Sequence, residues 1–400
     1  MKGSKEVVAQ LCAEDLSTET VKNFRENLRG LAREIFFEVM AEEVLELCGP
    51  RHYPVSGARY RRAGSASGRI YWDGQWEKVS RPRVRRSGGG TGGEVNLRSY
   101  QAAKDPEEFR QRVYAALSAG ASTRDQKAVA HAGRSTASRI WEKKGSEVLA
   151  EFRRRDISNR EWACLMLDGV GLGDDLLAVV ALGMTGEGEK VFLDFEFGAE
   201  ESAETACGLL KRLRERCFKP AEGCRLLTVL DGSKALSAAV KRYFPDAVMQ
   251  RCLVHKERNI RQHLPRRSWG LLAELFKRLR LAEGGHAAME SLKELEKFLK
   301  TRSKWAYESL HEGWDELTAF QRLEVPSTLN TSFLSTNFIE NGFNNVRRKI
   351  GRVKRWRVET GQPEKWLAFA LGEAEKGFKQ IRNAGEMKTL MAALKRPTGD

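Results

Sequence analysis

Residues 226–255 read LLTVLDGSKALSAAVKRYFPDAVMQRCLVH, and the order of elements within this stretch decides the fold class. Leu226–Leu230 is a short, nearly unbroken apolar run, the pattern of a strand buried on both faces in the middle of a sheet. Asp231 ends it. Gly232 and Ser233 supply a turn and a helix cap, and Ala235, Leu236, Ala239, Val240 and Tyr243 are spaced for one buried helical face. A further strand, Ala247–Cys252, and a Cys252-x-x-His255 pair complete the stretch. Strand, helix and strand in this order predict an α/β fold, in which ligands and chemistry collect at the carboxyl ends of the strands.

A lone aspartate at a strand end serves equally well as a cap for the following helix. Asp231 is not alone. Ala163–Leu167, ACLML, is a second apolar run of the same length, ending in Asp168-Gly169 as the other ends in Asp231-Gly232. If the two strands are parallel neighbours, their carboxylates stand side by side. That outlines a metal site, because a hard cation such as Mg²⁺ takes oxygen ligands and usually one or two protein carboxylates.

The chain has 400 residues, 41% of them hydrophobic, enough for two to four domains with real cores. Its 7 cysteines (Cys12, Cys48, Cys164, Cys207, Cys217, Cys224, Cys252) are odd in number and contain no Cys-x-x-Cys, so neither a disulfide framework nor a complete zinc motif is expected. No apolar run reaches the length of a membrane span, and the N-terminus lacks a signal-peptide core. A soluble protein of the reducing cytoplasm is the expectation. Lys plus Arg number 69 against 54 Asp plus Glu, a formal charge of +15, which points to a polyanionic partner such as nucleic acid.

Along the chain, residues 1–50 read as an N-terminal helical domain. Ser17 to about Cys48 forms one helix with Val21, Phe24, Leu28, Leu31, Ile35, Phe36, Val39, Val44 and Leu47 on its apolar face, stopped by Gly49-Pro50. It serves as a packed helix or as an arm for dimerisation or DNA ends. Residues 51–99 read as a small basic β-unit and Gly-rich linker. There Ile70–Trp72 and Gln75–Val79 flank a hairpin turn at Asp73-Gly74, and arginines from Arg51 to Arg86 alternate with Tyr53, Tyr60, Tyr71, Trp72 and Trp76. Phosphate and base contacts suit that mixture, as does an ordinary solvated hairpin. Ser87–Gly93 is the linker.

Residues 100–157 read as a helix-turn-helix unit. Pro106–Ala119 is helical, Ser122 caps a helix through His131, and Ser135 caps another from Thr136 to Lys144. Arg134, Arg139, Lys143 and Lys144 are its DNA-binding candidates, although a plain helical hairpin has the same pattern. The sheet domain begins at about residue 158 and runs to 265. After Ala163–Leu167 come strands Leu176–Met184 and Lys190–Phe197 and a helix Glu200–Arg216, so the order is β-β-β-α-β-α-β-α. Right-handed crossovers and short connections return the fourth strand beside the first, placing Asp168 next to Asp231. Asp174, Asp175, Asp194 and Glu196 read as rim residues of the hairpin.

Residues 266–330 are an all-helical insertion, with helices at Trp269–Leu281, Ala287–Leu299 and Trp305–Phe320. Residues 331–385 return to the sheet domain, and 386–400 form a tail. In Leu334–Lys349, Ser335 or Thr336 caps a helix with Phe338, Ile339, Phe343 and Val346 facing inward. Glu340 lies about one turn from Thr336 and Asn344. A glutamate here also suits the dipole of a helix start. The cations Arg347, Arg348, Lys349, Arg352, Lys354, Arg355 and Arg357 follow, suggesting a phosphate substrate.

These residues carry a family resemblance. LDG with Asp168, LDGS with Asp231, Cys252-Leu253-Val254-His255, the helical insertion with Trp314, and STNFIE with Glu340 together resemble the ribonuclease-H-like catalytic core of DDE transposases, in particular the Mutator-type family of bacterial insertion sequences. The match covers about residues 115–360. The resemblance implies an α/β, ribonuclease-H-like mixed sheet interrupted by a helical insertion. It also implies that Asp168, Asp231 and Glu340 are the catalytic acids and hold two Mg²⁺ ions about 3.5–4 Å apart, with Mn²⁺ as a substitute. Water attacks first to release a 3′-hydroxyl at the transposon end, which then attacks target DNA. Cys252, His255, Asn337 and Asn344 are expected to support the acids, and Arg347, Arg348, Lys349, Arg352 and Trp314 to contact DNA. Cys252 and His255 are half a zinc site with no second pair at finger spacing, so zinc is not expected. The implied partners are double-stranded transposon ends and target DNA, with at least a dimer for synapsis and no membrane, in the bacterial nucleoid. A silent DNA-binding regulator descended from a transposase and a structure-specific nuclease of the same fold are the competing readings.

Overall fold

A computed structural model describes residues 18–52, 58–72, 75–88, 93–104, 107–121, 132–173, 176–198, 202–351, 353 and 356–396. The chain forms two compact units, Met1–Trp141 and Glu142–Asp400.

In the first unit, α1 (Thr18–Cys48) precedes an antiparallel sheet of β1 (Tyr60–Trp72), β2 (Gln75–Arg86) and β3 (Glu94–Val95), followed by α2 (Arg98–Lys104) and α3 (Glu107–Ser118). Met40, Val44 and Cys48 of α1 pack on Ile70, Val79 and Val84 of the sheet and on Leu97 and Tyr100. The buried stripe of α1 differs from the expected one, since Leu31, Ile35 and Val39 are exposed. The aromatic residues of the hairpin also turn out to be partly structural. Tyr71 is buried, with its ring 5.4 Å from that of Trp76 and 4.6 Å from that of Phe109 on α3. Arg81 and Arg83 are held by Glu94 at 3.0 and 2.7 Å. The expected helix at Ser122–His131, the Asp73-Gly74 turn, Asp174, Asp175 and Arg352 lie outside the described residues. The helix expected at Thr136–Lys144 is longer: α4 runs Arg134–Arg154, and the boundary between the units falls within it. Gly145 lies within it, where an added β-carbon would stand 3.1 Å from Lys365 Cβ.

The second unit is built on a five-stranded sheet. β4 (Trp162–Gly173), β5 (Leu176–Thr185) and β6 (Lys190–Gly198) are antiparallel; α5 (Ala203–Glu215), β7 (Leu227–Leu230), α6 (Lys234–Tyr243), β8 (Val248–Arg251) and α7 (Leu253–Gln262) follow as crossovers. The strand order is β6-β5-β4-β7-β8, so the fourth strand does return beside the first. Leu165 and Leu167 face the cluster formed by α5 and α6, whereas Cys164, Met166 and Val170 face the opposite cluster. α8 (Trp269–Leu281), α9 (Gly284–Lys300), α10 (Lys304–His311) and α11 (Asn330–Phe333) come next, then α12 (Asn337–Ile350), α13 (Gln362–Glu375) and α14 (Met387–Ala393). The helix expected through Phe320 stops at His311, because Gly313 takes the left-handed φ of +79°. Among the described residues, no helix is long and apolar enough to cross a membrane.

Two features position α12 over the sheet. Ile339, Phe343, Val346 and Ile350 are buried along one stripe, each contributing about 1.5–3 kcal/mol of transfer free energy. Gly342 admits the Phe192 ring of β6, which would lie only 2.4 Å from a β-carbon there. Asp194 is not a rim residue: it is fully buried, with Arg212 Nε at 2.8 Å and Arg216 Nη1 at 3.1 Å, and Glu196 joins it by pairing with Arg212 at 2.5 Å. Sequence spacing could not show this, because the arginines come from α5 and the turn after it.

Candidate active site

Parallel pairing of β4 with β7 runs from Cys164↔Leu227 to Leu167↔Leu230, so Asp168 and Asp231 each stand one residue past the last matched pair. β7 stops there. β4 does not end at Leu167 as expected but continues against β5, with Asp168 opposite Val180, because the hairpin partner still supplies hydrogen bonds. Asp168 is buried and Asp231 half-buried. Asp231 Oδ1 accepts from Ser233 N (2.8 Å), and Ser233 Oγ accepts from Leu236 N to cap α6. This local turn sets the carboxylate where the strand leaves the sheet.

Glu340 enters from the first turn of α12. This helix packs against β4. Burial first, then the negative charge of Asp231, push the Asp168 carboxyl up to about 7, against His255 and the Gly169 N–H, with Glu340 contributing least. Among the described residues, no three His, Cys, Asp or Glu groups close up enough to hold a metal ion by themselves. Glu340 instead spends its oxygens on neighbours. Its Oε1 accepts from the Thr336 hydroxyl (3.2 Å) and lies 3.8 Å from His255 Nδ1, and its Oε2 lies 3.8 Å from Arg258 Nη1.

Cys252 and His255 form the other side of this network. Cys252 Sγ caps α7 by accepting from His255 N (3.5 Å), also accepts from Thr336 N (3.4 Å), and lies 3.5 Å from Thr336 Oγ1. Burial pushes this thiol up, but the hydrogen bonds from His255 and Thr336 outweigh it and hold the thiol below its usual value. The hydrogen bond with Cys252, opposed by burial and aided by Asp168 and Glu340, raises His255 to about 9. At neutral pH the imidazole therefore carries its proton. Thr336 Oγ1, 3.3 Å from Nδ1, can accept from it and direct its own hydrogen to Glu340.

The remaining candidates are more dispersed. Asn337 and Asn344 stay exposed, and Asn344 accepts from Arg347 Nη1 at 3.4 Å. Arg347, Arg348 and Lys349 are exposed, Arg348 bonding Asn345 and Lys349 lying 3.6 Å from Glu373. Trp314 is half-buried and stacks on His311 at 4.8 Å. Arg134, Arg139 and Lys143 are exposed on α4, and Lys144 pairs with Glu147 at 3.2 Å. Sequence reasoning missed Arg258 and Arg251. Arg258 had a signal, three residues after His255 on one helix; Arg251 had none beyond its place next to Cys252.

Comparison with known proteins matches residues 3–378 to a family described as "Transposase, Mutator family". The chain is 29% identical over 209 residues to the transposase for insertion sequence element IS905 of Lactococcus lactis subsp. lactis (strain IL1403), covering 51% of each chain. It is 28% identical over 212 residues to the transposase for insertion sequence element IST2 of Acidithiobacillus ferrooxidans, covering 51% of this chain and 69% of that one. To the transposase for insertion sequence element ISRM5 of Rhizobium meliloti (strain 1021) it is 29% identical over 252 residues, 59% of this chain and 60% of the other. The first of these alignments spans about half of the relative's length.

Proposed function

The chain belongs to the Mutator family of transposases, and on that premise we propose that it is a DDE-type DNA transposase acting on transposon ends and target DNA through Asp168, Asp231 and Glu340. What supports this reading is the position of two aspartates, each one residue past matched positions of adjacent parallel strands, together with the packing of the Glu340 helix on β4. We read the sheet, from its strand order, as a ribonuclease-H-like core.

The donor chemistry suits a hard divalent cation, since all three groups are carboxylates, although among the described residues they do not close into a three-ligand set as they stand. Asp168, Asp231 and Glu340 would hold Mg²⁺, or Mn²⁺ in its place. When bound, such ions supply Lewis-acid charge at the scissile phosphate and its entering and leaving oxygens. The chain's own contribution is positioning. Gly169 N–H and Ser233 N–H orient the two aspartates, Thr336 orients Glu340, and His255 and Arg258 place positive charge beside it. Arg347, Arg348 and Lys349 lie further along the Glu340 helix as contacts for the DNA backbone, and Arg134, Arg139, Lys143 and Lys144 serve end binding.

Two in-line displacements follow. Water oxygen bonds to phosphorus as the P–O3′ bond breaks, leaving a 3′-hydroxyl and a 5′-phosphate. That hydroxyl oxygen then bonds to a target phosphorus as the target P–O3′ bond breaks. Neither step needs a covalent link to the protein, and both depend on positioning and charge neutralisation. Synapsis of two ends calls for at least a dimer, and the setting is the bacterial nucleoid. The test is purified protein with labelled duplex from the element's terminus, target DNA and Mg²⁺. Joined products are expected; cleavage without joining would make the protein a nuclease, and binding alone a regulator.

A further inference from the structure

A cavity of about 610 Å³ opens further out along β4, between the β4–β5 hairpin and the end of α12. Leu172, Leu176, Ile350 and Trp356 make its apolar wall, Gly171 leaves the strand bare, and Arg347 stands at its rim. Alternation along a strand puts Asp168, Val170 and Leu172 on one face of β4. Glu340 and Arg347 are seven residues apart, so they share one stripe of α12. Both walls lead back to the acids: three strand residues from Asp168 to Gly171 span about 10 Å, and seven helical residues from Glu340 to Arg347 span about 10 Å. Stacked nucleotides rise 3.4 Å per step along a strand, so the cavity lies about three steps from the acids.

The lining specifies what fits. Trp356 Nε1–H donates to Leu172 O (2.7 Å), which spends the ring's one donor, fixes its orientation and leaves its apolar surface for a ligand. A β-carbon on Gly171 would meet nothing within 4 Å, and one on Gly173 would lie 3.7 Å from the indole nitrogen. Arg347, exposed and bonded to Asn344 Oδ1 at 3.4 Å, keeps further N–H donors for an anion. A flat apolar group joined to a phosphate matches this surface. The volume falls in the range of small-ligand pockets, about 300–1,000 Å³.

We propose that this cavity takes one unstacked nucleotide of the DNA strand bound across Asp168 and Asp231, its base against Trp356 and its phosphate on Arg347. The assignment rests on the transposase reading. Its test is fluorescence anisotropy of the full chain with two labelled duplexes of one sequence, one fully paired and one with an abasic site opposite a single base. The duplex with the unpaired base binds about tenfold more tightly, as one base–aromatic stack provides. Trp356→Ala and the cavity-filling Gly173→Phe, whose β-carbon would face the indole, bring the two duplexes to parity without weakening the paired one, while Trp356→Phe retains most of the preference. An unchanged preference in folded Trp356→Ala and Gly173→Phe overturns the pocket alone. Displacement of the labelled duplex by micromolar free dAMP overturns the DNA strand as its occupant, and a wild-type chain that binds neither duplex overturns the transposase reading itself.

Discussion

The Arg251 guanidinium occupies the space that a β-carbon on Gly232 would need: that carbon would stand 2.8 Å from Arg251 Nε. Gly232 takes a φ of +111°, and its carbonyl accepts from Arg251 Nη2 at 2.8 Å. On the other side, a β-carbon on Gly313 would lie 2.7 Å from Nη1, which bonds the Glu312 carbonyl. One buried cation, clamped between two glycines, thus ties the turn after Asp231 to the helical insertion. Gly232→Ala adds left-handed strain of about 1–2 kcal/mol and displaces the guanidinium. We expect a lower Tm and end cleavage reduced more than end binding; cleavage at the wild-type rate would sink this coupling.

Asp231→Asn should preserve the fold and DNA-end binding while lowering Mg²⁺-dependent cleavage by at least about a thousandfold, since a phosphoryl-transfer site missing one charged ligand loses several kcal/mol of transition-state stabilisation. Binding by anisotropy and cleavage by gel, on the same preparation, check both halves. A folded variant that no longer binds ends would argue against a metal-holding role.

Thr336→Val removes the hydroxyl shared by Glu340, His255 and Cys252. Loss of one such hydrogen bond is worth about 1 kcal/mol, so cleavage should fall about five- to tenfold with unchanged end affinity. Thr336→Ser should recover it. Loss in Thr336→Ser with full cleavage in Thr336→Val would show that the methyl group, through packing, is what matters.

Asp194→Asn leaves Arg212 and Arg216 without their buried counter-charge. Breaking a buried ion pair from one side costs about 3–5 kcal/mol. The expected outcome is a large drop in denaturant midpoint with cleavage per folded molecule unaltered, the reverse of Asp231→Asn.

Lys256 is buried, bonded to the carbonyls of Ser309 and Glu312. Burial, with help from Arg251 and against Glu312 and Glu316, lowers its ammonium to about 8. Between that value and the ordinary lysine value of about 10.4, the unfolded chain binds the extra proton. Stability from this group is therefore reduced below about pH 8 and rises as pH climbs through the window. Denaturation midpoints of wild type and Lys256→Met across that range should converge toward high pH; parallel curves would refute the shift.

The adjacency of Asp168 and Asp231 was legible in advance because its signals are local. Two apolar runs of equal length each end in Asp-Gly, and Glu340 lies in the first turn of an amphipathic helix, although the expected cap at Thr336 is not made by its side chain, whose hydroxyl donates to Glu340 instead. Handedness of crossovers then sufficed to place one aspartate beside the other. The extent of β4 past Asp168 was not legible, because its continuation depends on pairing with β5 rather than on its own pattern. Nor was the inward turn of Tyr71 onto Phe109, since an aromatic residue in a basic hairpin has the same spacing whether it faces a core or a ligand.

From the sequence by itself come most of the sheet's elements, their order, and the pairing of Asp168 with Asp231 at adjacent strand ends, since periodicity and turns act over a few residues. Tertiary structure alone decided which charges are spent internally: Asp194 on Arg212 and Arg216, and Arg251 between Gly232 and Gly313. The physical reason is range. A residue's own neighbours in sequence set its backbone conformation, but the cost of burying its charge depends on partners that only the folded chain brings within reach.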